Sequence, residues 1–263
     1  MLASRFVPIS EPIKRIVRPA VRGFREIPVH KDQFLQRTHG PLAVFLPNSG
    51  PKGAALLRIY GIAQALRTLG WRTLVLPCRL TLAQRQRFLA RTAPDVIVMQ
   101  GVRHALNRPE LYPGAPIIFD MDDADFHLPH LADAVHLAMP HVTSVIAGSR
   151  YIADWAIAAG APSAQVIWTG TPITRRPHVP QANRPPVIAW AQTRPMTYKA
   201  EAAFVRRVIA ALGKRHPGLT LRLYDRHPED DFAFAETFSV PGVTVEWRKT
   251  CDYRAYLASF NDV

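Results

Sequence analysis

The sequence predicts an α/β protein built on doubly wound parallel sheets, arranged as two successive domains. Three observations carry this. The apolar runs LAVFLP (42–47), DVIVMQ (95–100) and PIIFDM (116–121) are continuous rather than alternating, which is how strands read when both faces of a parallel sheet are covered. Segments with apolar residues at helical spacing lie between them. After a proline-rich break at 171–186 the same alternation starts again. Alternating strands and helices imply right-handed crossovers and helices on both faces.

The elements follow in order. RTLVLP (72–77), SVIAGS (144–149) and QVIWTG (165–170) complete the strands of the first domain. The helix at 54–70 places Leu56, Ile59, Ile62, Ala63, Leu66 and Leu69 on one apolar stripe, with Gly70 suited to its C-terminus. Thr81 suits the N-cap of 81–92, and Ser149 that of 150–160. Five prolines in sixteen residues make 171–186 read as a linker. Beyond it come strands 187–192, 219–225 and 243–247, a helix near 199–213, and another at 252–260. The expected organisation is a leader at 1–40, a Rossmann-like domain at 41–170, the linker, and a partial Rossmann-like domain at 187–263. Three strands make a small sheet, so Tyr256 and Phe260 are expected on an uncovered apolar face.

Composition narrows the function. Of 263 residues, 48% are apolar, enough for a packed core, and 33 Lys and Arg against 20 Asp and Glu give a formal charge of +13. An anionic partner such as a phosphate or nucleotide fits that balance; a solvated basic surface is the competing reading. The leader holds eight Lys or Arg, with prolines 8, 12, 19 and 28 forbidding one long helix. It reads as a loosely packed tail or as a basic strap on an anionic membrane surface. Basic residues are not interleaved with aromatic ones as in single-strand binders, so nucleic acid is not an expected partner. Cys78 and Cys251 form neither a zinc spacing nor a disulfide framework. With no run of about 20 apolar residues and no apolar signal-peptide core, a cytoplasmic protein is expected, peripheral at the inner face of the membrane if the leader is a strap.

Two stretches are candidates for chemistry. Asn48-Ser49-Gly50-Pro51-Lys52-Gly53 follows the first strand and precedes a helix, where parallel sheets bind ligands, and Gly50 and Gly53 would let backbone N–H groups approach a phosphate or sugar. A plain strand–helix turn explains the same residues. In PIIFDMDDADF (116–126) a buried strand runs into Asp120, Asp122, Asp123 and Asp125. Carboxylates there cost free energy unless paired. Asp120 and Asp122 have the spacing of the nucleophile and acid of a haloacid-dehalogenase-type phosphatase, although Asp123 and Ala124 replace the usual Gly-Thr. A D-x-D metal site, a cleft-rim carboxylate and a helix cap are the other readings. His127, His130, His136 and His141 have no compact ligand spacing, so neither a metal nor another cofactor is expected.

The chain over 41–263 resembles GT-B glycosyltransferases of the family 4 type. ALRTLGWRTLVL (65–76) resembles their L-x-x-x-G-H-x-V-x-V turn, and PIIFDMDDADF their strand ending in D-x-D-D. HVTSVIAGSRYIADWAIAAGAPSAQVIWTGTPI (141–173) is similar to the segment closing their first domain, VIAWAQTRPMTYKA (187–200) to the opening of their donor domain, and VEWRKTCDYRAYLASFNDV (245–263) to the run towards a later strand. Two features depart from the pattern. Gly50-Pro51-Lys52-Gly53 replaces a G-G-x-x-R-like loop, and the chain stops before the E-x7-E region, so the second domain is expected to be incomplete.

The resemblance implies transfer of a sugar from a nucleotide-sugar donor to a glycan or lipid-linked acceptor, as in polysaccharide biosynthesis. It places the donor diphosphate near Gln192, Thr193, Arg194 and Lys199, and the acceptor on the first domain, with Asn48, Ser49, Gly50 and Gly53 in the cleft loop. Asp120 and Asp122 face that cleft, one of them orienting or deprotonating an acceptor hydroxyl. A non-catalytic basic binding module remains the third reading.

Overall fold

The computed structural model describes residues 40–170, 180–192, 198–225, 237–249 and 253–260. The leader up to residue 39, linker residues 171–179, Thr193 and Arg194 lie outside the described residues. The chain divides into two compact units, Met1–Ile173 and Thr174–Val263.

The first unit is a six-stranded parallel sheet. Its strands are β1 (Leu42–Leu46), β2 (Arg72–Val75), β3 (Val96–Gln100), β4 (Ile117–Met121), β5 (Ser144–Ala147) and β6 (Ala164–Val166), in the order β2-β1-β3-β4-β5-β6. Strand β1 shows why the runs are continuous. Leu42, Val44 and Leu46 enter one core with Ile97, Met99 and Phe119, while Ala43 and Phe45 enter another with Ile59, Ala63 and Val98. Side chains alternate across a strand, so a sheet with two buried faces needs apolar residues at every position.

Helix α1 (53–68) covers one face. Helices α2 (Leu82–Thr92), α3 (Ala132–Ala138) and α4 (Arg150–Ala158) supply Leu89, Val135, Ala138, Ile152 and Ala156 to the core on the other. The Thr81 side chain accepts from the Gln84 N–H while the Gln84 side chain returns the bond, and Ser149 accepts from the Ile152 N–H, so both expected caps form.

The expected stripe on α1 holds for Ile59 and Ala63, which are buried, and for Ile62 and Leu66, which pack against the same core. Leu69, beyond the end of the helix, is 74% exposed and is the correction. Residues Leu56–Tyr60 form a π-helical turn, which fits an extra residue into the turn, and Ala55 and Arg58 join the buried face. Helix α3 carried no expectation from the sequence.

The second unit is a parallel sheet in the order β7-β8-β9, from Val187–Ala191, Leu219–Asp225 and Val243–Lys249. Helix α5 (Lys199–Arg215) lays Ala202 and Ile209 on Leu219, Leu221 and Leu223. Gly213 permits that approach: a Cβ there would stand 2.5 Å from Val243 Cγ2. Tyr256 of α6 (Tyr253–Ala258) and Phe260 beyond it are not bare, because both rings pack on Tyr224 and on each other. Among the described residues no helix is long and apolar enough to cross a membrane.

Candidate functional site

In the order β2-β1-β3-β4 the connection after β1 runs to one side and the connection after β3 to the other. That reversal opens a crevice at the carboxyl ends of parallel strands, where ligands of this architecture bind. The loops after β1, β3 and β4 meet there.

A buried polar network fixes the first two loops. Asn48 accepts at its side-chain oxygen from the His104 N–H at 3.0 Å and from Asn107 Nδ2 at 3.2 Å, and its own N–H donates to Gln100 Oε1 at 3.0 Å. Asn107 is fully buried, donates to the Leu46 and Gln100 carbonyls, and accepts from Arg85 Nη1. His104 Nδ1 accepts from the Leu106 N–H, which leaves the proton on Nε2 to reach the Cys78 carbonyl at 3.1 Å. Burial, then the Arg85 charge, lowers the His104 pKa, so the ring is neutral near pH 7. Arg85 Nε is buried without a hydrogen-bond partner, but the bonds through Asn48, Gln100, His104 and Asn107 connect both loops, and such a network holds one geometry.

The aspartates of the third loop separate into different roles. Asp120 is the next-to-last residue of β4, with 1% of its side chain exposed, against 3% for Arg58 from the π-helical turn of α1. Arg58 Nη2 donates to Oδ1 at 2.6 Å and Nε to Oδ2 at 2.9 Å, a two-pronged fork. Its Nη1 continues to the Ile167 carbonyl and Thr169 Oγ1, tying in the chain beyond β6. Burial pushes the Asp120 carboxyl above its ordinary range and Arg58 pulls it back. Arg58 itself is raised: desolvation lowers it, but Asp120, Asp122 and Asp123 more than offset that. The fork geometry decides between these opposed tendencies, and the pair is ionic near neutral pH.

Arg103 holds two further carboxylates. Its Nη2 lies 2.6 Å from Asp125 Oδ1 and 2.6 Å from Asp123 Oδ2, and Nε donates to Asp125 Oδ2 at 3.0 Å. These bonds, with that to Asp125 foremost, raise the guanidinium pKa.

Asp122 remains. Among the described residues no side chain hydrogen-bonds to its half-buried carboxylate, and burial followed by the Asp123 charge raises its pKa. Its backbone lies against Gly148, where a Cβ would meet Asp122 Cα and O at 3.1 Å. Asn48, Asp120, Asp122 and Asp125 line one small cavity of about 10 Å³, at the lower limit for one water. A far larger cavity of about 480 Å³, lined by Leu89, Pro94, Tyr112 and Pro116, lies at the other end of the sheet, before β3 and β4. It is apolar and remote from the aspartates.

The expected residues are thus gathered in part. Asn48, Asp120 and Asp122 converge. Ser49 donates to the adjacent Gly50 carbonyl, and Gly50 and Gly53 stand exposed at the start of α1. In the second unit, Gln192 follows β7 and the exposed Lys199 opens α5. Asp120 has no exposed oxygen to attack phosphorus, which removes the feature on which the phosphatase reading rests. Among the described residues no group of three or more His, Cys, Asp or Glu is placed to hold a metal ion. Sequence reasoning missed Arg58, Arg85, Gln100, Arg103, His104 and Asn107. A buried Asp120 demanded a cationic partner, but nothing in the linear order selected Arg58 from the basic residues.

No family model matches the sequence, and no curated relative does. Solved structures match by fold. The S. aureus MnaA–UDP co-structure superposes with a TM-score of 0.56 at 11% identity, covering 82% of this chain and 70% of that one. The UDP-GlcNAc 2-epimerase from Neisseria meningitidis bound to UDP-GlcNAc gives 0.51 at 12% identity, with 84% and 75% covered. At such identities the likeness is one of fold: an α/β chain of Rossmann-like, GT-B-like architecture.

Proposed function

We propose that this chain is a nucleotide-sugar enzyme, and that it is a glycosyltransferase passing the sugar to a glycan or lipid-linked acceptor. The observation that carries the reading is Asp122: a carboxylate without a side-chain hydrogen bond among the described residues, raised by burial, at the carboxyl end of a parallel sheet. A general base for a hydroxyl needs a free oxygen and a pKa nearer the working pH than an ordinary carboxylate offers. Asp120 is then a positioning residue, holding β4 against α1 through Arg58. The fold neighbours, one carrying UDP and one carrying UDP-GlcNAc, support a nucleotide-sugar as the ligand. In the second unit the donor diphosphate would meet Gln192, Thr193, Arg194 and Lys199, with Arg194 stabilising charge on the leaving group.

Epimerisation of a UDP-sugar is the second reading, favoured by the Neisseria neighbour being a UDP-GlcNAc 2-epimerase. One experiment separates them. The protein is incubated with a panel of nucleotide-sugars, with and without saccharide acceptors, and products are followed by NMR. Nucleoside diphosphate release that depends on acceptor supports transfer. Interconversion of the sugar without acceptor supports epimerisation. Neither reaction, together with no nucleotide-sugar binding, refutes both.

A further inference from the structure

A two-layered group of aromatic rings is built from the loop that carries Asp122 and from α4, and has no part in the network described above. Phe126 and His127 come from the loop after β4, and Tyr151 and Trp155 from α4. His127 Nε2 and the Tyr151 hydroxyl are 2.6 Å apart, and the two rings are within 16° of parallel with centroids separated by 5.9 Å. A bond joining the ring edges at that separation sets the rings side by side, not face on face. They make one surface of two nearly parallel rings, and it is open: Tyr151 is 57% exposed and His127 is exposed as well. Beneath it Phe126 contacts both rings, with centroids 4.6 and 5.7 Å away, and stacks on Trp155 at 4.0 Å and 6°. His136 meets the Trp155 ring edge at 4.9 Å. The outer pair is therefore held in place before any ligand arrives.

An exposed, rigid aromatic surface with polar edges suits a ligand that is apolar on one face and polar around its rim. A pyranose ring has that form: axial C–H groups on a face, hydroxyls around the edge. We infer that the Tyr151–His127 surface is the stacking site for the acceptor's terminal sugar ring, beside the Asp122 carboxylate. The inference rests on the glycosyltransferase reading and narrows it, since the group recognised is a saccharide ring and not a lipid chain. Gly148, packed on the Asp122 backbone, lies three residues before Tyr151, and His127 lies five residues after Asp122, so both halves of the platform are tethered close to the loop that carries this carboxylate.

The test uses methyl glycosides of glucose, mannose, rhamnose and N-acetylglucosamine as probes, with saturation-transfer NMR on the full chain. At least one should bind at millimolar concentration, with saturation strongest on one face of its ring protons. Tyr151→Ala should weaken that binding about tenfold, the loss of one stacked ring (~1.4 kcal/mol), whereas Tyr151→Trp should retain it. Equal binding by wild type and Tyr151→Ala, or no glycoside binding by the wild type, overturns the inference. Nucleotide-sugar titrations on the same samples keep the two ideas distinguishable. If the nucleotide-sugar still binds, only the platform falls; if it fails to bind as well, the function proposed above falls with it.

Discussion

Replacing Arg58 with Met keeps most of the aliphatic stem but removes the guanidinium from a site where it is 3% exposed beside a carboxylate 1% exposed. Removing one partner of a buried pair costs about 3–5 kcal/mol, because the other charge stays behind unpaired. Domains are stable by roughly 5–15 kcal/mol, so the first unit should weaken severely without losing its fold in every condition. The loss should depend on pH. In wild type, burial raises Asp120 and Arg58 opposes it; without Arg58 only the raising influences remain, burial and Asp122. The folded carboxyl then keeps its proton to higher pH than the unfolded one, whose pKa is about 3.9. Between the two values the folded state binds more protons, so stability falls as pH rises. Arg58→Met should therefore be least damaged near pH 5 and most damaged near pH 8. Hydrogen exchange of β4 and β6 amides is the suitable assay, since a global melt of two units mixes their transitions. The Arg58→Met/Asp120→Leu double variant should recover most of the loss, as apolar replacements of buried pairs often do. A single-variant loss under about 1 kcal/mol, a pH trend of opposite sign, or a double variant worse than the single would refute the reasoning.

Four further outcomes are expected. Asp122→Asn should change stability by no more than about 0.5 kcal/mol, having no side-chain partner to lose, while turnover falls on the order of 10²–10⁴-fold. Because burial, then the Asp123 charge, raises Asp122, the acid limb of the wild-type rate profile should sit above the ordinary carboxylate pKa of about 3.9, activity rising with pH as Asp122 ionises; a limb at or below that value removes Asp122 as base. Gly148→Ala should cost about 1–3 kcal/mol, measured by hydrogen exchange of β5, because its Cβ meets backbone atoms of Asp122 at 3.1 Å; unchanged exchange would show that the loop yields freely. Arg194→Ala should lower turnover about 10²-fold with the saccharide platform unaffected, and unchanged kinetics would take Arg194 out of the donor site.

Local chemistry determined much of this molecule in advance. Continuous runs such as 42–46 and 117–119 could only be strands buried on both faces, and Thr81 and Ser149 could be matched to helix starts, because each signal depends on neighbours within a few residues. The carboxyl ends of β1 and β4 then fall at one edge by topology alone, which brought Asn48, Asp120 and Asp122 to the same place. What linear order could not decide was which charges pair. Arg58 looks like one basic residue on an amphipathic helix, and only a π-helical turn and a partner 62 positions away make it a buried ligand of Asp120. The four aspartates from 120 to 125 read as one acidic cluster, yet Arg58 and Arg103 engage three of them and leave Asp122 free of side-chain bonds. His127 and Tyr151, 24 residues apart, become a single surface only when α4 folds back over the loop after β4. Pairing of charges and stacking of rings are decided by distance in space, and that distance is set by the whole sheet rather than by any segment of it.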